Sequence, residues 1–223
     1  MERNGIGWIT LEYTAHDYLS LNLSVNSSEV DWEKAIDILQ KRFEERFFST
    51  ITYLSFDRYG TYRKYKGLER TYVSKVEYNG FAIMALVCLL IDTFYQFEYG
   101  LNSSMDINPQ TGKRKLKDNY PFFLRDKFNH LFPDNNDLAD LFYDDIRNGI
   151  LHSAQTKNES ILAFEGDFVV EYTSNGRGIR VNILGMVKEL KRYFKNDYIY
   201  RLKNGDIETR ENFIKKMNYI CLR

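Results

Sequence analysis

The chain has 223 residues, and its 31 Lys and Arg balance its 31 Asp and Glu to a formal net charge of zero. That balance excludes a protein that coats nucleic acid by bulk charge and leaves room for a local basic groove. With hydrophobic residues at 43%, aromatics at 16% and three prolines, the composition fits one core with appendages, or two small domains, built from long helices.

The opening MERNGIGWIT has no apolar signal-peptide core, which gives the expectation of a cytoplasmic protein. Residues 6–25 alternate loosely, with Ile6, Trp8, Leu11 and Tyr13 followed by Leu19, Leu21, Leu23 and Val25. They are read as one or two short strands or an extended arm. A helix is predicted from about 31 to 54: Ser28 or Asp31 can cap it, and Ile36, Leu39, Phe43, Phe47 and Ile51 recur along one face. The stretch 55–75 is polar, basic and aromatic, with Arg58, Arg63, Lys64, Lys66 and Arg70 among Tyr59, Tyr62, Tyr65 and Tyr72. It reads as a long connection holding at most a helical turn.

Residues 79–100 are apolar nearly all round, as in a helix at the centre of a bundle, and Gly100 marks the stop. Their longest apolar run, FAIMALVCLLI at 81–91, is too short to span a bilayer. Residues 100–120 show no apolar period and read as a loop, in which Lys113, Arg114, Lys115 and Lys117 form the densest positive run. This run and the basic aromatic stretch before it can guide RNA by charge and base stacking; a solvated loop is the plainer reading of each.

A short helix is predicted over 120–132, ended by Pro133. A long one follows over 134–157, with Asp134 or Asn135 near its cap and Leu138, Leu141, Phe142, Ile146 and Ile150 on the apolar side. Strand-like runs occupy 161–183, and Asn175-Gly176 between them signals a hairpin. Helical spacing returns over 184–203 and 206–221, split by Asn204-Gly205. The predicted fold class is mainly α, a helical bundle with a β-hairpin and two further helices at the C-terminal end. Residues 1–157 form the arm and bundle, and 158–223 the hairpin and helices packed on the same domain. Cys88 and Cys221 lie in apolar contexts and read as buried thiols of a reducing compartment. With no CxxC and no Cys/His cluster, neither a metal site nor a cofactor is expected.

One stretch carries chemistry. In DDIRNGILHSAQ, residues 144–155, a helix of about 100° per residue puts Asp144, Asn148 and His152 in one stripe. Asp145 and Gln155 flank it, and Arg147 must reach across. Gly149 costs roughly 1 kcal/mol against alanine in a helix, and it would let another helix or a ligand come close. Histidine is the side chain whose unperturbed pKa lies near neutrality, and arginine forks onto phosphate oxygens. The set suits phosphodiester cleavage without a metal, in which an RNA 2′-hydroxyl attacks its own phosphate; one histidine does not easily serve as both acid and base, and two copies across a dimer axis would supply both. The plainer reading is a wet helix face, with His152 a surface residue and Arg147 in a helix salt bridge. His16 and His130 stand apart from other ionisable patterns and read as structural.

The residues Arg147-Asn148-Gly149-Ile150-Leu151-His152 resemble the signature of the HEPN superfamily: an arginine followed by a polar residue, often Asn, with a histidine a few residues on. The wording FYDDIRNGILHSAQTK, followed by strands and RENFIKKMNYIC, looks like a bacterial family of that type. The resemblance covers residues 30–157 and, more loosely, the tail. It implies a HEPN-like helical bundle that dimerises with two Arg–His motifs meeting in a cleft, and a metal-independent endoribonuclease acting as a toxin or anti-phage defence effector. Its partners would be an RNA substrate, a second copy of the chain and a cognate antitoxin or defence-system component, with no membrane. By motif, His152 would be the acid or base, Arg147 the phosphate contact and Asn148 the orienting group. Apart from the motif, Asp144 by its place in the stripe and the 113–117 cations by their charge are candidate substrate contacts. Other members of the superfamily lack nuclease activity. The alternative is therefore a non-catalytic binding or scaffold protein whose 144–155 face contacts a partner protein or nucleotide.

Overall fold

The structure, a computed structural model, describes residues 2–3, 6–55, 61–64, 70–73 and 75–222. Helices take up 60% of the chain and strands 7%, the mainly α class that the periodicity predicts. In chain order the elements are β1 (Glu2–Arg3), β2 (Ile6–Gly7), α1 (Ala15–Leu19), α2 (Glu29–Phe43), α3 (Ser49–Ser55), β3 (Thr61–Lys64), β4 (Arg70–Val73), α4 (Lys75–Glu98), α5 (Leu116–Lys127), α6 (Leu138–Leu141), α7 (Asn148–Ser153), β5 (Ile161–Ala163), β6 (Val170–Tyr172), β7 (Ile179–Asn182), α8 (Ile183–Tyr193), α9 (Ile199–Lys203) and α10 (Ile207–Cys221). Single π turns at Glu44–Phe48, Phe142–Arg147 and Phe194–Tyr198 join α2 to α3, α6 to α7 and α8 to α9.

The first π turn explains a departure from the sequence pattern. A straight α-helix carries the apolar face of α2 from Phe43 to Phe47. The structure buries Phe43 and Phe48 and leaves Phe47 partly exposed. A π turn holds one residue more than an α turn, so the next inward position falls five residues on instead of four.

The chain forms two compact units: residues 1–48, 91–120 and 190–223, and residues 49–90 and 121–189. The first unit is built on aromatic rings. Phe43 stacks on Phe94 at 5.2 Å and on Phe194 at 4.7 Å, and meets the edge of Phe97 at 5.5 Å. Trp32 packs on Phe213 at 5.6 Å. Burying such a ring stabilises by about 1.5–3 kcal/mol, with more from the stacking geometry. Side-chain caps fix the helix starts: Thr14 and Asp17 form a capping box on α1, Ser28 accepts from Asp31 N–H, and Asp206 accepts from Thr209 N–H. In its interior Glu98 accepts from Tyr193 at 2.6 Å and from the Arg201 guanidinium at 2.7 Å. Burial pulls that guanidinium down, and the bond to Glu98 and its charge more than reverse this, so its pKa stands above the ordinary value. Cys221 is buried, and burial pushes its thiol up to about 11. Among the described residues at the start the strands are short: β1 pairs with β2, Trp8 bridges Thr14, and the later part of the expected arm is the short helix α1 and turns.

In the second unit Phe123, Leu124, Phe128, Phe132, Phe142 and Ile146 are fully buried, with Phe132 edge-on to Phe142 at 5.6 Å. The 55–75 stretch is a correction: β3 and β4 pair antiparallel with Arg63 opposite Thr71, where a connection was expected. Arg58, Tyr59, Tyr65 and Lys66 lie outside the described residues. The hairpin at Asn175-Gly176 is present between β6 and β7, with Gly176 at φ 68°. The sheet has a third member, since β5 runs parallel to β7, giving the order β5-β7-β6. Strands of three or four residues are too short to show an alternation. Helix α5 begins at Leu116, one turn earlier than the spacing suggests, with Pro121 inside it. Helix α4 corrects the apolar-run estimate: its Asn79–Glu98 stretch is long and apolar enough to cross a membrane by length and composition, and 61% of that window is buried within the protein, as in a core helix.

The π turn yields a test in denaturant unfolding. Phe48→Ala should cost about 3–5 kcal/mol, the loss of a buried ring, and Phe47→Ala roughly 1 kcal/mol or less. A larger loss at Phe47 than at Phe48 would place the face where an uninterrupted α-helix puts it.

Candidate functional site

The 144–155 stretch belongs to the second unit, and its shape follows from helix arithmetic. Leu138, Phe142, Ile146 and Ile150 are spaced by four, and all are buried. In an unbroken α-helix three such steps drift by about 120° at ~100° per residue, which would carry Ile150 off the core. The π turn at Phe142–Arg147 takes back about one residue's rotation, so all four stay inward. The same turn holds the polar stripe together on the other side.

There the Asn148 amide donates to Asp144 Oδ1 at 3.4 Å, and the Arg147 guanidinium donates through Nη1 to Asn148 Oδ1 at 2.9 Å. Arg147 also lies over the Tyr143 ring at 5.6 Å, a cation–π contact that fixes its direction. The sequence expects Arg147 to reach across to the stripe, and in the structure its guanidinium does so. His152 is exposed in the last turn of α7, and among the described residues it has no hydrogen-bond partner.

Three expectations here are corrected. The helix ends at Ser153 instead of running to 157, because Ala154 turns into the left-handed region at φ 52°. Gln155 therefore leaves the helix, and its N–H donates to the Gly149 carbonyl at 3.4 Å. Asp145 is buried and structural: it accepts from Asn158 at 2.8 Å and from the Ser160 hydroxyl at 2.7 Å. Its carbonyl also accepts from Lys157 N–H at 3.1 Å. These bonds hold a return loop in which Asn158 and Glu159 also take positive φ, each at a cost of roughly 1–2 kcal/mol. Gly149 is needed by this loop, since a Cβ at 149 would stand 2.5 Å from the Gln155 carbonyl oxygen. The close approach expected of a partner helix or ligand is made by the chain itself.

Lys113, Arg114, Lys115 and Lys117 are all exposed and belong to the first unit. Their loop is built around buried Asn108 and Asn119. Asn108 accepts from Gln110 N–H at 2.8 Å, and Asn119 accepts from Thr111 at 2.7 Å while donating to the Lys113 carbonyl at 2.9 Å. His130 pairs with Glu189 at 3.0 Å. Among the described residues no three of His, Cys, Asp and Glu are grouped as metal ligands. Three residues that shape the site, Tyr143, Asn158 and Ser160, escaped the sequence reading. Tyr143 had a weak signal, four positions before Arg147 on a helix, whereas the partners of Asp145 lie 13 and 15 residues away with no periodic mark. No protein-family model matches the chain, and neither a curated protein nor a solved structure shows significant similarity to it.

Gly149→Ala gains about 1 kcal/mol of helix propensity and forces the Gln155 carbonyl aside. The clash should win, with a net loss of about 1–3 kcal/mol in chemical denaturation. A variant more stable than wild type would contradict the packing of the return loop.

Proposed function

We propose that the chain is a HEPN-type endoribonuclease that cleaves RNA without a metal ion, at a site shared by two copies. The observation that carries this reading is the linked set Asp144–Asn148–Arg147 beside an exposed histidine, His152, on the next turn. A wet helix face needs only solvated side chains. Here an arginine is instead held in direction by an amide and a ring, and that amide, Asn148, lies one helical turn before an exposed imidazole.

In this mechanism the His152 imidazole of one copy takes the proton of the RNA 2′-hydroxyl. The 2′-oxygen forms a bond to phosphorus as the bond to the 5′-oxygen breaks. The leaving oxygen takes its proton from the protonated His152 of the other copy, so the products are a 2′,3′-cyclic phosphate and a 5′-hydroxyl. The Arg147 guanidinium meets the charge that builds on the phosphate oxygens, and Asn148, braced by Asp144, sets its direction. An exposed His152 fits a site completed by a second surface, which excludes water and supplies the second proton-transfer group. The proposal includes a role as toxin or defence effector, with an antitoxin or defence partner that covers this face.

The test is cleavage of RNA in the presence of a chelator by wild type, His152→Ala and Arg147→Ala. Each variant should lose about 10²–10⁴-fold in rate with folding unchanged by circular dichroism. If wild type does not cleave, or both variants cleave as well as it does, the nuclease reading fails and a binding module takes its place.

A further inference from the structure

A second feature lies wholly in the first unit and owes nothing to the 144–155 stretch. A cavity of about 400 Å³ is lined by Arg42, Phe43, Arg46 and Phe47 from α2 and its π turn, by Thr93, Gln96, Phe97 and Asn102, and by Lys216, Tyr219 and Ile220 from α10. We infer that this cavity binds a small ligand in which a phosphate is joined to a planar ring, the chemistry of a ribonucleoside monophosphate.

The charge inventory points to the phosphate. Among the described residues three cations line the cavity and no carboxylate does. Among the described residues, neither Arg42 nor Arg46 has an acidic partner; both donate to one carbonyl, that of Ile9, at 3.3 and 3.5 Å. Two like charges four residues apart on a helix repel, and a shared carbonyl does not neutralise them. Burial, and then the charge of Arg46, pull the Arg42 guanidinium down to about 10. A bound anion would favour the charged form and so oppose both effects. The Lys216 ammonium donates to Gln96 Oε1 at 2.6 Å and to the Asn102 carbonyl at 2.8 Å, which fixes a third positive charge in the wall. Two guanidiniums and an ammonium suit a dianion with several acceptor oxygens better than a single carboxylate.

The ring follows from the aromatic side chains. Phe43 and Phe97 are buried and form the floor, whereas Phe47 and Tyr219 keep part of their surface open. Phe47 is available because the π turn gives its inward place to Phe48. π turns recur where a helix is bent to a functional purpose. The cavity volume falls in the range of small-molecule sites, about 300–1,000 Å³, which suits a mononucleotide and excludes a nucleic-acid strand as the enclosed occupant.

The test is isothermal titration of the full chain with AMP and UMP, the parent nucleosides, and inorganic phosphate alone. At least one monophosphate should bind about tenfold more tightly than its nucleoside and than phosphate. Arg46→Gln and Arg42→Gln should each weaken that binding by about tenfold or more, and Arg46→Lys should restore part of it. Arg46 is exposed, and its removal relieves repulsion, so the melting temperature of Arg46→Gln without ligand should be unchanged or higher. His152→Ala should bind as wild type does, which separates this site from the proposed nuclease site. The inference is overturned if no monophosphate exceeds phosphate and nucleoside, if binding survives in both arginine variants, or if it is lost only in His152→Ala.

Discussion

The helices of this protein have to keep long apolar faces inward while their side chains recur every four residues, and an α-helix of 3.6 residues per turn cannot do that for more than a few turns. The single π turns at Glu44–Phe48, Phe142–Arg147 and Phe194–Tyr198 resolve the mismatch by absorbing one residue each. In the second, the buried series Leu138, Phe142, Ile146, Ile150 stays on one side only because the turn cancels the drift. In the first, the inward role passes to Phe48. Each adjustment that serves the core has an outward consequence: the first turn releases Phe47 and Arg46 to a cavity wall, and the second lets Arg147 reach Asn148 above Tyr143.

A second constraint acts at the end of α7. The chain turns back at Ala154 through a left-handed residue, and two more such residues follow at Asn158 and Glu159. Such backbone persists only where other bonds over-determine it. Here they come from Asp145, whose carboxylate and carbonyl together hold Asn158, Ser160 and Lys157. Ser160 in turn accepts from Ile179 N–H at 2.9 Å, so one buried carboxylate ties the polar helix to the start of β7. The neighbouring carboxylate, Asp144, faces the opposite way and braces Asn148. Adjacent aspartates thus divide the work, one fixing the turn and one presenting the polar set.

The sequence was informative where one period dominates a long stretch. The helices over 31–54, 79–100, 184–203 and 206–221 were legible because their apolar residues recur over many turns, and the Asn175-Gly176 turn because two residues suffice to specify it. The short strands were not: β3 and β4 lie in a run whose alternation of Tyr with Arg and Lys reads equally as a basic coil, and β5 gains its partner from a residue pairing of Ile161 with Arg180 that no local pattern announces. The π turns were illegible for a related reason. A one-residue insertion leaves the average period almost unchanged and shows only as a wrong choice between neighbours, Phe47 or Phe48. Within the candidate site the stripe of Asp144, Asn148 and His152 was readable from geometry, but the reason for Gly149 was not, since the atoms it admits are backbone from the following loop.

Charge placement connects these points. A chain with equal numbers of acids and bases can still separate them, and this one assigns many acids to structural duties: Asp17 and Asp206 to helix caps, Glu98 to Arg201, Asp140 to Arg125 and Glu12 to Lys41. A carboxylate committed to a cap or to a buried bond no longer neutralises a distant cation, since exposed charges more than about 10 Å apart are largely screened. Bases that no acid faces then define local positive regions that the zero total conceals. At the 113–117 loop they project into solvent, where screening makes them weak. In the cavity the Arg42 guanidinium and the Lys216 ammonium are drawn away from solvent, where the same charge interacts with an anion more strongly. Net charge therefore says little about local anion binding, which depends on whether an acid lies near enough to face each cation.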